Sequence, residues 1–366
     1  MYLCIAMRAI NTIITTIITV CLLCACHGEQ AQGNPEGDTI PLRYARNITL
    51  VQHRDYVEAI LRNPWDTTKT LNRYEIREPL RKAAVFTAVH CALLQELGVE
   101  RNIGGVCDLS YINMPYIQHG VQQGTIKDLG NGIEPNIERV IDLMPDALMP
   151  SPFEHSGGYG RLERLGIPII ECADYMENGP LARAEWMKFY GRLFGCGERA
   201  DSLFATVEQA YLALKAIAEK AEKRPTLIVD KPYQGTWHVP GGQSTTGILY
   251  RDAGAEYLFA DRPECGGVPM SFEAVMEKGQ KADFWLLKYT SDTPLTLSEL
   301  ADDTPLYTHF DAFKNHRVYG CDTTTSGFFE ETPFHPERLL ANLIGILHPE
   351  LDVDVPYIYY HLLNEK

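Results

Sequence analysis

At 366 residues, with 45% hydrophobic and 22% charged side chains, the chain is long enough to bury a sizeable core and to divide into two domains. Its 33 basic residues are outnumbered by 48 acidic ones, a formal charge of −15, and no basic run is interleaved with aromatics. Such a surface repels phosphate backbones and sets nucleic acid aside as a partner.

Residues 1–25 read as a secretory signal. Arg8 is the only charge before Glu29 and precedes the apolar run Ala9–Ala25, the order of an exported precursor. The run is short, and rich in Thr, for a spanning helix. It ends in Leu23-Cys24-Ala25-Cys26, which resembles a lipobox, whose last cysteine is lipidated and becomes the new N-terminus. Cys26 would then carry the acyl anchor, with residues 26–40 as a polar tether. A plain signal peptide or an N-terminal anchor helix is the alternative. The six cysteines beyond Cys26 form no C-x-x-C pair, so neither a zinc ribbon nor a thioredoxin-type site is expected, and buried single thiols suit their apolar surroundings.

Residues 41–182 read as an N-terminal α/β lobe with a leading hairpin. Its strands are expected over Thr49–Ile60 and Thr68–Ile76, around the turn signal Arg62-Asn63-Pro64-Trp65-Asp66. From Ala83 short apolar strands alternate with helical segments: "AAVF", "HCALLQELG", "NIGGV", "TIKDLG", "IERVIDLMP", "DALMPS" and "IPIIEC". This alternation predicts βαβ units around a parallel sheet. Residues 183–224 break the alternation as a linking helical segment. Its second part, Ala200–Glu222, is longer than an ordinary crossover needs and suits a spine between lobes. A second alternating block, 225–366, forms the C-terminal α/β lobe, closed by a helix over Pro336–Leu347. The fold class is therefore α/β, two lobes with central parallel sheets joined by one long α-helix, with a cleft between them.

Enzyme motifs are missing. The sequence holds no H-E-x-x-H and no G-x-S-x-G, and Gly242–Gly247 has the glycine spacing of a P-loop but lacks the Lys-Ser/Thr that holds phosphate and magnesium. "FFEETPFHPE" reads as a loop feeding a helix with Pro336 in its first turn. A more specific pattern occurs twice. "NIERVIDLMPDALMPS" places Glu138 early in a helix, with Asp146 leading into a strand; "MSFEAVMEKGQKADFWLLK" does the same with Glu273 and Asp283. One such glutamate is ordinary helix-dipole complementarity. Two at matching places in two lobes ask for another reason.

These segments, with "LGVERNIGGV", "YGRLERLGIPII", "AEWMKFYGRLFG", "GTWHVPGG" and "FKNHRVYG", resemble the substrate-binding proteins of ABC importers for iron chelates and cobalamin, over roughly residues 80–350. The hairpin region and "LIGILHPEL" are similar to the lipoprotein version found in Bacteroidetes, although the long N-terminal lead-in departs from simpler members. The resemblance implies ligand capture between the lobes, no catalytic activity and no resident cofactor or metal. It also implies docking of Glu138 and Glu273 on permease arginines, an ATPase behind that permease, and a monomer. The residues just after Cys26 show only an isolated Glu29, with no strong surface-export signal, so the anchor is expected on the periplasmic side of the inner membrane, the outer membrane being the other place for it.

In parallel α/β sheets ligands sit beyond the carboxyl ends of the strands. This rule points to Thr87–His90, Cys107–Met114, Ser151–Tyr159 and Tyr175 in the first lobe. In the second it points to Lys231–Gly242, Lys288–Asp292 and Thr323–Phe329. The expected ligand contacts are Trp237, Tyr233, Tyr159, Tyr175, His155, Tyr289, Lys288 and Phe328, with Trp237 foremost. Aromatic faces suit a macrocycle or catecholate, and Gly241-Gly242 would let backbone approach closely. Lys231, Lys288 and Arg251 favour an anionic siderophore over cobalamin. For haem, His155, Tyr159 or His238 could be axial. The rival reading is an envelope metal-dependent hydrolase using His155, His335 and nearby carboxylates in the cleft.

Overall fold

The computed structural model describes residues 37–66, 68–153, 158–291 and 293–366. The expected signal segment, Cys26 and His155 lie outside the described residues.

The chain enters through an antiparallel sheet of four strands, β1 (Asp38–Ile40), β2 (Ile48–Gln52), β3 (Val57–Arg62) and β4 (Thr70–Ile76), in that order. The turn signal at 62–66 joins β3 to β4 as expected. The segment read as one strand, Thr49–Ile60, instead folds back at His53–Tyr56. β1 also takes in the last three residues of the expected tether, because they pair with β2. The link between β1 and β2 is clamped by carboxylates. Glu185, with no exposed surface, accepts the N–H groups of Arg43, Tyr44 and Ala45 at 2.8–3.0 Å. The nearly buried Glu177 accepts those of Arg46 and Asn47 and the indole N–H of Trp186. Five successive amides are thereby satisfied away from water.

The N-lobe sheet contains β5 (Ala83–Val85), β6 (Ile103–Val106), β7 (Lys127–Asp128) and β8 (Ala147–Met149), all parallel, in the order β7-β6-β5-β8. "IPIIEC" adds one bridge, Leu148 to Ile169, rather than a full strand. Helices α1 (Ala88–Glu96), α2 (Pro115–Gln122) and α3 (Ile137–Leu143) make the crossovers.

Two short helices, α4 (Pro180–Ala184) and α5 (Met187–Leu193), lead to the spine α6, Gly197–Ala218. It starts earlier and stops earlier than the sequence suggested. Phe204, Val207 and Tyr211 recur on one buried face at helical spacing. Arg192 forks onto Asp201 at 2.6 and 2.7 Å, tying α5 to the first turns. Near the other end, Tyr211 and Lys215 both reach Asp252 of the second lobe, at 2.8 and 3.0 Å. The spine therefore belongs to both lobes.

The C-lobe sheet contains β9 (Thr226–Val229), β11 (Glu256–Tyr257), β13 (Phe284–Tyr289), β14 (Val318–Asp322) and β15 (His361–Leu362). Its order is β11-β9-β13-β14-β15, parallel except for β15. β10 (Trp237–Pro240) and β12 (Gly267–Met270) form a separate antiparallel ribbon. The helices are α7 (Thr245–Asp252), α8 (Phe272–Gly279), α9 (Leu297–Asp303), α10 (Asp311–Lys314), α11 (Phe328–Glu331) and α12 (Pro336–Leu347), the last with the expected bounds.

The lobes repeat one device. Asp146, ahead of β8, accepts the N–H groups of Arg81 and Lys82 just before β5, at 2.7 and 2.9 Å. Asp283, ahead of β13, accepts from the N–H and hydroxyl of Thr226 at the start of β9, at 2.8 and 2.7 Å. Each aspartate fixes the register of two parallel strands that are distant in sequence. No helix among the described residues is long and apolar enough to cross a membrane.

Candidate functional site

The strand orders locate the site. In the N-lobe, β8 lies on the opposite side of β5 from β6 and β7; in the C-lobe, β13 lies opposite β11 across β9. At such reversals the connections leave in opposite directions and open a crevice beyond the carboxyl ends of the strands. The crossover helices that make the two reversals are α3 and α8, which carry Glu138 and Glu273. Each glutamate is exposed and is the second residue of its helix. Each helix is capped alike: the Asn136 side chain accepts from Arg139 N–H and the Ser271 hydroxyl from Ala274 N–H. A buried valine, Val140 or Val275, turns the other face inward.

The N-lobe reversal is an open groove of about 840 Å3, within the range of small-molecule sites. Phe86 and Thr87 enter it from the end of β5, and Pro150, Ser151 and Phe153 from the end of β8. Tyr159 lines it too, half-buried, and donates its hydroxyl to Glu171 at 3.2 Å. Burial and then the Glu171 charge push that hydroxyl up, so it stays a donor. Glu171 in turn rests on the leading sheet, through Asn72 and through its own N–H to the Tyr74 hydroxyl at 3.0 Å. The lead-in thus braces a wall of the groove. Tyr175 is 37% exposed and donates to Pro152 O, tying its own turn to the loop after β8. Its turn is held by Asp174, which accepts from Tyr190 and Arg183 at 2.7 and 3.0 Å and pairs with His90 at 2.8 Å. Burial raises the Asp174 pKa, yet His90, Arg183 and Tyr190 together hold it well below the carboxylate range.

The C-lobe reversal is bridged. Lys288 at the end of β13 pairs at 2.6 Å with Asp230 at the end of β9. Burial works to lower the Lys288 pKa, but Tyr360 and Asp230 more than offset it, so the ammonium stays charged and engaged. Lys231 pairs with Asp303. The positive charge expected here is therefore largely neutralised. Tyr233 opens a two-residue hairpin turn through Gln234 and Gly235, both at positive φ, and is 71% exposed. Tyr289 is half-buried at the end of β13.

Trp237 is a correction. It was expected to face the ligand from a loop; instead it begins β10, has no exposed surface and donates its indole N–H to Val229 O at 2.8 Å. Trp285, Phe272, Tyr307 and Phe310 pack around it. Phe328 is likewise buried, edge-on to Tyr359 and Tyr360. The pair Gly241-Gly242 serves a close backbone approach of another kind, since a side chain there would strike Glu264 O and Ala260 O. His238 points outward from the β10 ribbon.

The carboxyl ends of the two sheets face each other. Asn113, beyond β6, donates to Thr324 O, beyond β14, at 2.6 Å. Below this bridge a smaller cavity of about 380 Å3 lies between α1 and α11. It is closed by His335, which binds Glu96 of the other lobe and Glu337 of its own. Burial depresses the imidazole, but the two carboxylates outweigh it and raise its pKa to about 9. Among the described residues no group of three or more His, Cys, Asp or Glu side chains is placed to hold a metal ion.

A family model described as a periplasmic binding protein matches residues 84–325. The chain belongs to that family. Among curated relatives of this periplasmic binding protein, an uncharacterized lipoprotein of Methanocaldococcus jannaschii is 26% identical over 75% of this chain and 67% of its own. Among solved structures, an ABC-type Fe3+-hydroxamate transport system protein from Saccharomonospora viridis is 19% identical, with a TM-score of 0.59, over 79% of this chain and 98% of its own. A periplasmic heme binding protein from Pseudomonas aeruginosa is 18% identical, also at 0.59, over 77% and 97%. The family match begins after β4, so the leading sheet precedes it.

Sequence reasoning missed the loop Gly132–Ile137, which lines the groove beyond β7. The strand-end rule applied to "TIKDLG" would have found it.

Proposed function

We propose that this chain is the ligand-capturing lipoprotein of an ABC importer, anchored through Cys26 on the periplasmic side of the inner membrane, and that it delivers an iron chelate or a corrinoid to a permease. Binding, not bond breaking, is its activity. The observation that carries the reading is the equivalent placing of Glu138 and Glu273, each exposed, and each on the helix that reverses its sheet and carries a side-chain N-cap, Asn136 or Ser271. Two carboxylates so presented suit two basic groups on one flat partner, as the family resemblance implies. The family membership, the hydroxamate-transport and heme-binding names of the solved neighbours and the lipoprotein name of the archaeal relative support it.

Ligand recognition rests on Phe153, Tyr159 and Tyr175 from the N-lobe and on Tyr233 and Tyr289 from the C-lobe. Calorimetric titration of the purified full chain with cobalamin, haemin and ferric siderophores tests it. One of them binds saturably, and Tyr233→Ala weakens that binding about tenfold, the loss of one aromatic contact, without lowering the melting temperature. No saturable heat from any of them rejects the reading.

A further inference from the structure

We infer that the ligand is an uncharged or cationic chelate, not an anionic one; this rests on the importer reading above and narrows it. The argument is electrostatic. Among the described residues lining the N-lobe groove, Asp108, Glu134 and Glu138 carry negative charge and Arg161 alone carries positive. Glu134 and Glu138 are exposed. Two bases on the elements that flank the groove are already engaged, Arg139 with Asp128 at 3.2 Å and Lys127 with Asp142. On the opposing lobe the two lysines at the strand ends are each neutralised, Lys288 by Asp230 and Lys231 by Asp303.

An anionic chelate entering this space would meet, among the described lining residues, a net negative wall with Arg161 as the one cation to replace its water. Freeing Lys288 to serve the ligand would strand the partly buried Asp230 carboxylate, a cost the new contact has to offset; the Lys231–Asp303 pair is more open, its aspartate about half exposed. The whole chain adds a repulsive field, with its formal charge of −15. An uncharged or positive ligand meets no such penalty. Phe153, about half exposed, and the half-buried Tyr159 offer it flat apolar faces and one hydroxyl. A hydroxamate chelate of ferric ion or a corrinoid has this character; a triscatecholate or a carboxylate chelate does not.

The test is a calorimetric panel on the purified full chain: ferrioxamine B (cationic), ferrichrome and cyanocobalamin (uncharged), ferric enterobactin and ferric citrate (anionic), each at low and at raised ionic strength. The expected result is saturable binding by a cationic or uncharged probe at least tenfold tighter than by either anion. Any residual binding of the anions should strengthen as salt screens the repulsion. The exposed substitution Glu134→Lys should narrow that gap several-fold while circular dichroism stays unchanged. An anionic probe binding tighter than all the others overturns the inference and leaves the importer reading standing. Binding by none of the five overturns the inference, and the importer reading falls with it only where haemin, titrated alongside, also gives no saturable heat.

Discussion

In the N-lobe the reversal of the sheet opens into a groove of about 840 Å3 rimmed by Phe153 and Tyr159, whereas in the C-lobe the equivalent place is spanned by the Asp230–Lys288 pair and its large aromatics face inward. The two lobes share their order of parts: an aspartate latch, a capped crossover helix and a glutamate at its second position. They differ in what the loops after the strands do. Loop 230–240 folds onto itself as a tight hairpin and runs into β10, so Trp237 becomes core while Tyr233 at the turn and His238 on the ribbon stay outside. Beyond β8, Phe153 stays exposed and Tyr159 half-buried, so these rings remain available. Equivalent topology thus leaves aromatic rings open in the N-lobe and closes the matching place in the C-lobe with an ion pair.

Three substitutions or titrations can break or sharpen this contrast. The largest effect is expected for Trp237→Ala, which empties the centre of the C-lobe aromatic cluster. A loss of about 3–5 kcal/mol of stability by denaturant unfolding is expected, and a variant as stable as the parent would return Trp237 to the ligand. Next is the junction at His335. A histidine whose pKa rises on folding stabilises fully below its ordinary value near 6.5, and that contribution fades as pH passes about 9. On the order of 3 kcal/mol is expected to disappear across that window, read as a falling melting temperature, and His335→Gln should flatten the profile. A pH profile that stays the same in the variant would remove His335 from the junction. Smallest is Phe153→Ala, expected to shift stability by no more than about 0.5 kcal/mol, as exposed positions do. A cost as large as that of Trp237→Ala would mean that the N-lobe ring is core as well.

Much of this was legible in the chain. The alternation from Ala83 onward, the closing helix Pro336–Leu347 and the paired Glu138 and Glu273 follow from hydrophobic period and capping chemistry, which are local. What was hidden depends on long-range pairing. Nothing within "GTWHVPGG" says that it will find "GVPM" some thirty residues on and bury its tryptophan. Nor do Lys231 and Lys288 announce that Asp303 and Asp230 will neutralise them. The fold of 41–76 shows the same limit, since the turn at 62–66 is strong whereas that at His53–Tyr56 carries neither glycine nor proline. The clamp of five amides on Glu185 and Glu177 joins residues more than a hundred positions apart.

The central claim is that two lobes built alike present one carboxylate each to a single partner. Uptake of the bound chelate by cells carrying Glu138→Ala, Glu273→Ala or both, with ligand affinity of each purified variant measured alongside, tests it most directly. The expected result is unchanged affinity in the Glu273→Ala variant and at most a few-fold change where Glu138, which also lines the groove, is removed, with partial loss of uptake in each single variant and near-complete loss in the double. Normal uptake by the double variant would contradict the account.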